Sequence, residues 1–514
     1  MRSDPRGAYY TPPSIVNLIV ENTVGRLLRE LGPERASEIT ILDPACGTGA
    51  FLTGAYSYLL ERLRLEDADV RKRLLLDSIY GADLDEVALA EARMNLQSTL
   101  RRGETPASSD AEASPSPDAN LIHGDSLMRI DWGRDFPKVI ERGGFDAVIG
   151  NPPWVSLAGR FGIRAYSECQ IESLRRRFGG NSYMPNVFEY FISLGLELTR
   201  PGGYFAFIVP DRLAFNRQFA YLRRRLLAET ELLLLVHGIP FPGVIADTMV
   251  FVCRKAAPGP DAVTESRGYD GSSSVYTQSE MLRSPGCELR RPLDRRVSRI
   301  VERMESLGGP LLMDICQITS GFGGRSSLVT EHKVSDSQIP VLKGDSIERY
   351  AVRKEYWFDF RPENLTGRTR DPAKLGASPK VLIRKTGNGL IAAYDDSGRF
   401  PEQSLYFLFN TRRDIFSDSS GLDLKFVLGI LNSRLMGIYY RARCLTNPRT
   451  IAHAKMVDLE RIPMPPPDPE QHDRLVALVD EALGGRTEAI EDRIDELVCE
   501  LYGVEMEDLP PKTG

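Results

Sequence analysis

Short apolar runs alternate with stretches of helical periodicity through the first half of the chain. Residues 39–42, 78–82, 120–123, 145–150, 204–209, 231–236 and 248–253 are runs of strand length. Between them, apolar positions at helical spacing fill 14–31, the stretch from Ala50 to about Leu65, the positions Val87, Leu89, Ala90 and Leu96, and 186–198. Thr11 stands where it would cap the first helix, with Pro12 at its first position. This order predicts an α/β domain built on seven strands, mostly parallel and covered by helices on both faces.

The residues just past the strand ends carry the candidate chemistry. The first run leads into Asp43-Pro44-Ala45-Cys46-Gly47-Thr48-Gly49 and then a helix. Gly47 and Gly49 allow a tight turn and close backbone approach to a ligand. Leu52 stands where a third glycine of a dinucleotide fingerprint would be, and no Gly-Lys-Ser/Thr follows, so phosphate cradling is not favoured. Asp83, followed by Leu84, ends the second run, where an acid can accept both hydroxyls of a ribose. Asp125 and Ser126 follow the third, and Asp125 could accept a hydrogen bond from an adenine amino group. The fourth ends in Asn151-Pro152-Pro153-Trp154. Two prolines fix two φ angles and restrict Asn151, so this loop is stiff. It reads either as a platform of an amide, free carbonyls and an indole for a planar amine, or as a proline turn capped by a core tryptophan. Ligands in such sheets bind outside the carboxyl ends of the strands, where all four motifs converge.

Beyond residue 255 the pattern changes. Residues 256–305, with Pro258-Gly259-Pro260 and a glycine–serine run at 271–274, read as a linker. From about Gly309 strands with polar turns follow, including 339–345, 380–385 and 391–395, then a helix at 424–441. The stiff segment 463–467 closes that mixed α+β domain at 306–467, and amphipathic helices make a tail at 468–514. The first domain spans 1–255.

Composition narrows the class. The 514 residues allow at least two cored domains, and 42% hydrophobic with 26% charged residues is ordinary for a globular protein. No apolar run spans a membrane and no secretory leader opens the chain, so a cytoplasmic location is expected, without a membrane partner. Seven scattered cysteines lack Cys-x-x-Cys spacing, which argues against structural zinc and disulfides; no metal is expected. A net charge of −6 does not announce a nucleic-acid binder, although arginine clusters occur at 175–177, 223–225 and 290–291.

In order, Asp43–Gly49, Asp83, Asp125 and Asn151-Pro152-Pro153-Trp154 resemble the motifs of S-adenosylmethionine-dependent adenine-N6 DNA methyltransferases, and most nearly the TaqI-type restriction–modification group. The resemblance extends into the second half. It implies a Rossmann-like methyltransferase sheet followed by a target-recognition domain. It also implies S-adenosyl-L-methionine as cofactor and methyl transfer to N6 of an adenine flipped out of double-stranded DNA. Tyr10, Thr11 and Pro12 resemble the N-terminal cofactor motif, joined in cofactor binding by Asp43, Pro44, Ala45, Cys46, Gly47, Gly49, Asp83, Leu84, Asp125, Ser126 and Asn151. Asn151 and the Pro152 carbonyl, followed by Pro153, resemble the acceptors for the target amine. Trp154 and Phe241 resemble the base-stacking aromatics, with tryptophan a departure from the commoner tyrosine or phenylalanine. Lys343, Arg384 and Lys385 are the expected DNA contacts, phosphate before base.

A place in a restriction–modification or related phage-defence system follows from the same resemblance, and leaves room for a separate restriction endonuclease or defence-complex subunit. Two other functions stay open. One is methylation of an RNA base or a protein glutamine, since the asparagine–proline loop also fits a side-chain amide. The other is a DNA-recognition subunit without activity, against which the intact motifs speak. A nuclease in the same chain is not expected, because the motifs begin within ten residues of the start and Glu331-His332-Lys333 lacks a placed preceding acid.

Overall fold

A computed structural model describes residues 11–101, 120–157, 166–180, 185–242, 247–284, 286–387, 389–410, 423–443 and 454–511. The chain divides into two units, Met1–Pro292 and Leu293–Gly514.

The first unit is built on a nine-stranded sheet: β1 (Ile41–Asp43), β2 (Ile79–Asp83), β3 (Leu121–His123), β4 (Phe145–Gly150), β5 (Thr199–Pro210), β6 (Glu231–Ile239), β7 (Thr248–Arg254), β8 (Val263–Gly268) and β9 (Ser273–Thr277). Their spatial order is β3-β2-β1-β4-β5-β7-β6-β8-β9. Strands β1 to β5 pair in parallel, and β7 runs antiparallel between β5 and β6. The order reverses between β1 and β4, which opens a crevice at their carboxyl ends. Every residue of β1 and β4 is buried, as strands covered on both faces require. Asp43 and Asp146 are the acidic exceptions, and Asp146 lies deeper in the sheet than the strand ends. Its Oδ2 accepts from the backbone N–H and the hydroxyl of Thr40, each at 2.9 Å, and its Oδ1 from Arg200 Nε at 2.6 Å, so it ties β4 to the starts of β1 and β5.

The expected seven strands are joined by two more. The segment expected as a linker at 256–305 carries β8, β9 and the helix Gln278–Arg283, and the unit boundary falls at 292/293. β8 pairs in parallel with β6, and β9 closes a hairpin on it. The inward positions of β8 are hydroxyls, not apolar side chains. Thr264 donates to the Leu232 carbonyl at 2.7 Å and Ser266 to that of Arg290 at 2.7 Å, so hydrophobic patterning could not mark this strand.

The first helix also differs. It breaks into Pro13–Asn22 and Val24–Leu31 at Thr23, whose hydroxyl bonds back to the Ile19 carbonyl at 2.8 Å. Pro12, not Thr11, is its N-cap residue, and the Thr11 hydroxyl is engaged elsewhere.

In the second unit, Gln317–Ser320, Leu405–Phe409, Lys380–Arg384 and Ala392–Asp395 form an antiparallel sheet in that spatial order. Alternation sends Val381 and Ile383 to one apolar cluster and Leu382 to another. The first cluster also takes in the helices Leu424–Asn432, Arg434–Arg443, Pro469–Gly484 and Glu488–Tyr502. The segment expected as a tail at 468–514 is thus part of this core: Leu475 and Val479 close on Gly429, and Tyr502 donates to the Pro463 carbonyl at 2.6 Å.

Candidate functional site

Asp43, Asp83 and Gly150 are the last residues of β1, β2 and β4, and Asp125 lies two residues past β3. The parallel pairing therefore sets their carboxylates and the Asn151 loop along one sheet edge. The turn after β1 is stabilised from inside. Asp43 accepts from the Ala45 N–H at 3.0 Å, and Asp83 Oδ2 from the Gly47 N–H at 2.7 Å. Asp83 Oδ1 takes the Asp85 N–H at 2.8 Å. Each Asp83 oxygen has spent one lone pair on these bonds and keeps acceptor capacity for a ligand.

Gly47 has φ +51° and Gly49 φ +81°, left-handed conformations that favour glycine. A Cβ on Gly49 would stand 2.9 Å from that of Ala92, whereas one on Gly47 would meet no atom of the described residues within 4 Å. Gly49 thus serves packing, and Gly47 has room beside it among the described residues. Leu84, which follows the acid of β2 in the chain, is 64% exposed.

Asp43 is 1% exposed, and a Cβ on Gly150 would stand 2.5 Å from its Oδ1. The cofactor-type turn and the asparagine–proline loop therefore touch through Asp43 and Gly150. Burial pushes the Asp43 carboxyl up to about 8, with the nearby charge of Asp83 adding to the rise. Burial likewise pushes the Cys46 thiol up, so Cys46 is a neutral packing residue, 6% exposed and against Gly81.

On the loop, Asn151 Nδ2 donates to the Thr11 hydroxyl at 3.2 Å. Pro152 is buried, and Pro153 and Trp154 are half-buried. Trp154 meets Phe241 with ring centroids 5.0 Å apart and planes at 66°. The two rings, expected as a stacking pair, are not parallel plates. A base held between parallel rings needs about 7 Å, twice the ~3.4 Å stacking rise, and the Trp154–Phe241 centroid distance is shorter than that.

Asp125 accepts from the Leu127 and Met128 N–H groups at 2.9 and 3.2 Å and from the Tyr166 hydroxyl at 3.2 Å. Ser126 donates to the Pro44 carbonyl at 2.6 Å, joining the turns after β1 and β3. Sequence reasoning missed Tyr166, because no periodicity or motif marks it. Tyr10 lies outside the described residues.

Of the expected DNA contacts, Lys343 holds its ammonium 4.5 Å from the Tyr356 ring centre. Arg384 donates to the Ile347 carbonyl. Lys385 lies inside the second unit instead of on its surface: it is 9% exposed, donates to Ser320 at 2.6 Å and sits over Tyr406, and burial lowers it to about 8. Glu331 pairs with Lys354 at 2.7 Å on the surface. Among the described residues, no group of three or more His, Cys, Asp or Glu could hold a metal ion, and no helix is long and apolar enough to cross a membrane.

A mixed sheet whose strand order reverses at β1/β4, a glycine turn and acids at the strand ends make a doubly wound α/β unit, and a second unit follows it in the chain. Two family models match the chain. Residues 77–238 match the Eco57I restriction-modification methylase, and residues 339–464 the TaqI-like C-terminal specificity domain. The chain therefore carries a region similar to the Eco57I restriction–modification methylase, followed by one similar to the TaqI-like specificity domain.

Curated relatives agree. The putative type II restriction enzyme and methyltransferase RM.MjaORFECS2P of Methanocaldococcus jannaschii is 23% identical over 421 residues, covering 76% of this chain and 33% of that protein. The type II restriction enzyme and methyltransferase RM.Eco57I of Escherichia coli is 24% identical over 237 residues, 40% of this chain and 23% of that protein. The type II methyltransferase M.VspI of a Vibrio species is 25% identical over 252 residues, 49% and 48%. The chain thus spans less than half the length of these relatives.

Among solved structures, the nuclease-deleted Type ISP enzyme LlaGI with a DNA substrate mimic superposes at TM-score 0.59 with 12% identity, over 93% of this chain and 47% of that one. The Type IIL enzyme MmeI with DNA gives 0.57 and 12%, over 98% and 74%. These likenesses are of fold. The methylase match brings S-adenosyl-L-methionine with it as cofactor. The room beside Gly47 among the described residues, the spare acceptor capacity of Asp83 and the exposed Leu84 fit that molecule.

Proposed function

We propose that the chain methylates N6 of adenine at specific sites in double-stranded DNA, with the base flipped out of the helix. The observation that carries this reading is the contact of Asp43 with Gly150, which brings the glycine turn and the asparagine–proline loop to one crevice. When bound, S-adenosyl-L-methionine supplies an electrophilic methyl on sulfur, and transfer makes the N–CH3 bond as the S–CH3 bond breaks, with loss of one N–H proton.

The chain's own residues supply position and polarity. Asp83 accepts the ribose hydroxyls and Asp125 the adenine amino group of the cofactor, while Leu84 covers its apolar face. Tyr10, Thr11 and Pro12 contribute to its binding. The exocyclic amine of adenine is a poor nucleophile because its lone pair is conjugated with the ring. Thr11 takes the NH2 of Asn151, so the Asn151 carbonyl oxygen is left to accept one hydrogen of the target amine, and the Pro152 carbonyl accepts the other. These two bonds draw the nitrogen toward tetrahedral geometry and aim its lone pair. Such an amine is out of reach inside a duplex, so the base leaves the stack and settles on the face of Trp154. That stacking offsets unpairing by roughly 1–3 kcal/mol.

The second unit supplies recognition, with Lys343 and Arg384 at the phosphates. The chain serves as the modification component of a restriction–modification or related defence system, in the cytoplasm, with or without a separate endonuclease subunit. Base-resolved mapping of DNA from cells expressing the chain tests this. N6-methyladenine in one sequence context is expected. Unmodified DNA alongside methylated RNA or glutamine would overturn it.

A further inference from the structure

The Leu293–Gly514 unit contains a cavity of about 450 Å³ whose lining includes Arg349, Arg384, Arg441 and Arg486, with Glu348 the one acid among the described lining residues. The four arginines come from separate parts of the chain. Arg349 sits on the turn bridged by Ile347 and Val352, and Arg384 ends the strand Lys380–Arg384. Arg441 belongs to the helix Arg434–Arg443, and Arg486 to the link between the last two long helices. The turn holds an unusual conformation. Tyr350 has φ +69°, is 2% exposed, and donates its N–H to the Ala392 carbonyl at 2.8 Å. An L-residue keeps that conformation only where its surroundings impose it.

The carboxylates nearby do not use up these guanidiniums. Arg349 and Arg486 face the same oxygen of Glu491, at 3.6 and 3.8 Å, beyond hydrogen-bonding range. Glu348 is turned to Arg353 at 3.3 Å. Asp495 accepts the Arg434 N–H at 2.7 Å, and burial raises its pKa. Arg384 spends one donor on the Ile347 carbonyl. Arg441 is exposed, has no carboxylate partner among the described residues, and feels partial desolvation and the like charge of Arg349, which act against its charge. Beside it, a Cβ on Gly437 would meet no described atom nearer than the Arg441 Nη1 at 3.5 Å, so among the described residues the helix leaves room next to that guanidinium.

We propose that this cavity is a phosphate site, filled by a backbone phosphodiester of bound DNA. The proposal rests on the reading of this unit as the part that recognises DNA. A guanidinium presents a planar fork of donors that matches two phosphate oxygens. One phosphodiester brings the single negative charge that Arg441 lacks. The same chemistry would accept free phosphate, and the two sources differ in what they do to DNA affinity. A backbone contact fixes register without reading sequence, so its loss weakens binding equally on every duplex and lowers the salt dependence.

The test uses the full chain and fluorescence anisotropy across a salt series, on duplexes with and without the methylated sequence. R441Q removes the charge, and G437D supplies a carboxylate beside it without cutting a side chain out of the fold. Both variants are expected to weaken the two duplexes by the same factor, about tenfold, and to lower the slope of log K against log salt by about 0.9. Their unfolding midpoints and S-adenosylmethionine affinity stay those of the wild type. Unchanged affinity and slope in both variants, with the wild type still methylating DNA, would overturn the site and leave the methyltransferase reading standing. A wild type that neither binds nor modifies DNA would remove both. Inorganic phosphate that stabilises the wild type but not R441Q, with DNA affinity unaffected by the substitution, would assign the cavity to a free anion and overturn the DNA source.

Discussion

The side-chain amide of Asn151 donates to the hydroxyl of Thr11, 140 residues earlier in the chain, at 3.2 Å. An amide has one donor end and one acceptor end, so binding the NH2 to Thr11 decides which end faces the substrate. T11V keeps the shape and removes the partner. The amide then rotates among orientations, and kcat for methyl transfer is expected to fall about tenfold or more. S-adenosylmethionine affinity, measured by calorimetry, should change less than kcat, and T11S should restore most of the rate. A T11V enzyme with wild-type kcat would separate Thr11 from the orientation of Asn151.

Asn151 itself is expected to be indispensable for transfer and dispensable for folding. It is half-buried on a loop that Pro152 and Pro153 hold in shape without it. N151A should lose methyl transfer by a factor of roughly 10² to 10³, the scale of losing one preorganised polar contact to a transition state. Cofactor binding should remain largely intact. Radiolabelled methyl incorporation and cofactor titration on the same preparation check the two halves of this expectation.

Trp154 is expected to carry the extruded base on one face, because its edge contact with Phe241 at 5.0 Å leaves no slot between the rings. W154A should weaken capture of the base by roughly 1–3 kcal/mol. With 2-aminopurine at the target position, the wild type should give a large fluorescence rise on binding, W154F a smaller one and W154A little. F241L should act mainly through Trp154, raising the KM for DNA with less effect on kcat. Equal fluorescence in W154A and wild type would contradict a stacking role.

The periodicities found the sheet because its central strands are buried on both faces, and a fully buried strand is written as an apolar run. They missed β8 because Thr264 and Ser266 meet their neighbours through hydroxyls. Pro258-Gly259-Pro260 and the 271–274 run, taken for a linker, precede β8 and straddle the start of β9. The strand-end acids were legible for a different reason: a carboxylate at the end of an apolar run has few structural uses, so Asp43, Asp83 and Asp125 stood out. Contacts set by tertiary folding left no local trace. Nothing near Thr11 shows that its hydroxyl meets Asn151 and does not cap a helix. Nothing near Tyr166 shows that it reaches Asp125, and nothing near Lys385 shows that it is enclosed by Ser320 and Tyr406.

That contact of Tyr166 with Asp125 yields its own expectation. The hydroxyl takes one of the acceptor sites of Asp125 Oδ1, at 3.2 Å, and orients the carboxylate after β3. Y166F should raise the dissociation constant for S-adenosylmethionine by several-fold, about the 0.5–1.5 kcal/mol of one hydrogen bond. The effect on kcat at saturating cofactor should be small. A Y166F enzyme with unchanged cofactor affinity and reduced kcat would place Tyr166 at the target base.

Asp43 gives a pH dependence whose sign is fixed by burial. Its carboxyl is pushed up to about 8 in the folded protein, from an ordinary value of 3.8. The folded state therefore holds a proton that the unfolded state has given up at any pH between these values. Stability is then full below about pH 4 and is lost as pH rises toward 8, by at most about 1.4 kcal/mol per pH unit. Two other buried groups titrate nearby but stop short of the upper part of this window. Asp211 is raised only to about 6, and His237, lowered to about 3 by burial, exchanges its proton between that value and its ordinary 6.5. Between pH 6.5 and 8 the slope belongs chiefly to Asp43. D43N keeps an oxygen to accept the Ala45 N–H and has no proton to lose. The unfolding midpoint of the first unit should fall across that range in the wild type and stay nearly level in D43N, so that the variant gains on the wild type as pH rises. Parallel pH profiles for the two proteins would mean that Asp43 is ionised in the folded state despite its burial against Gly150.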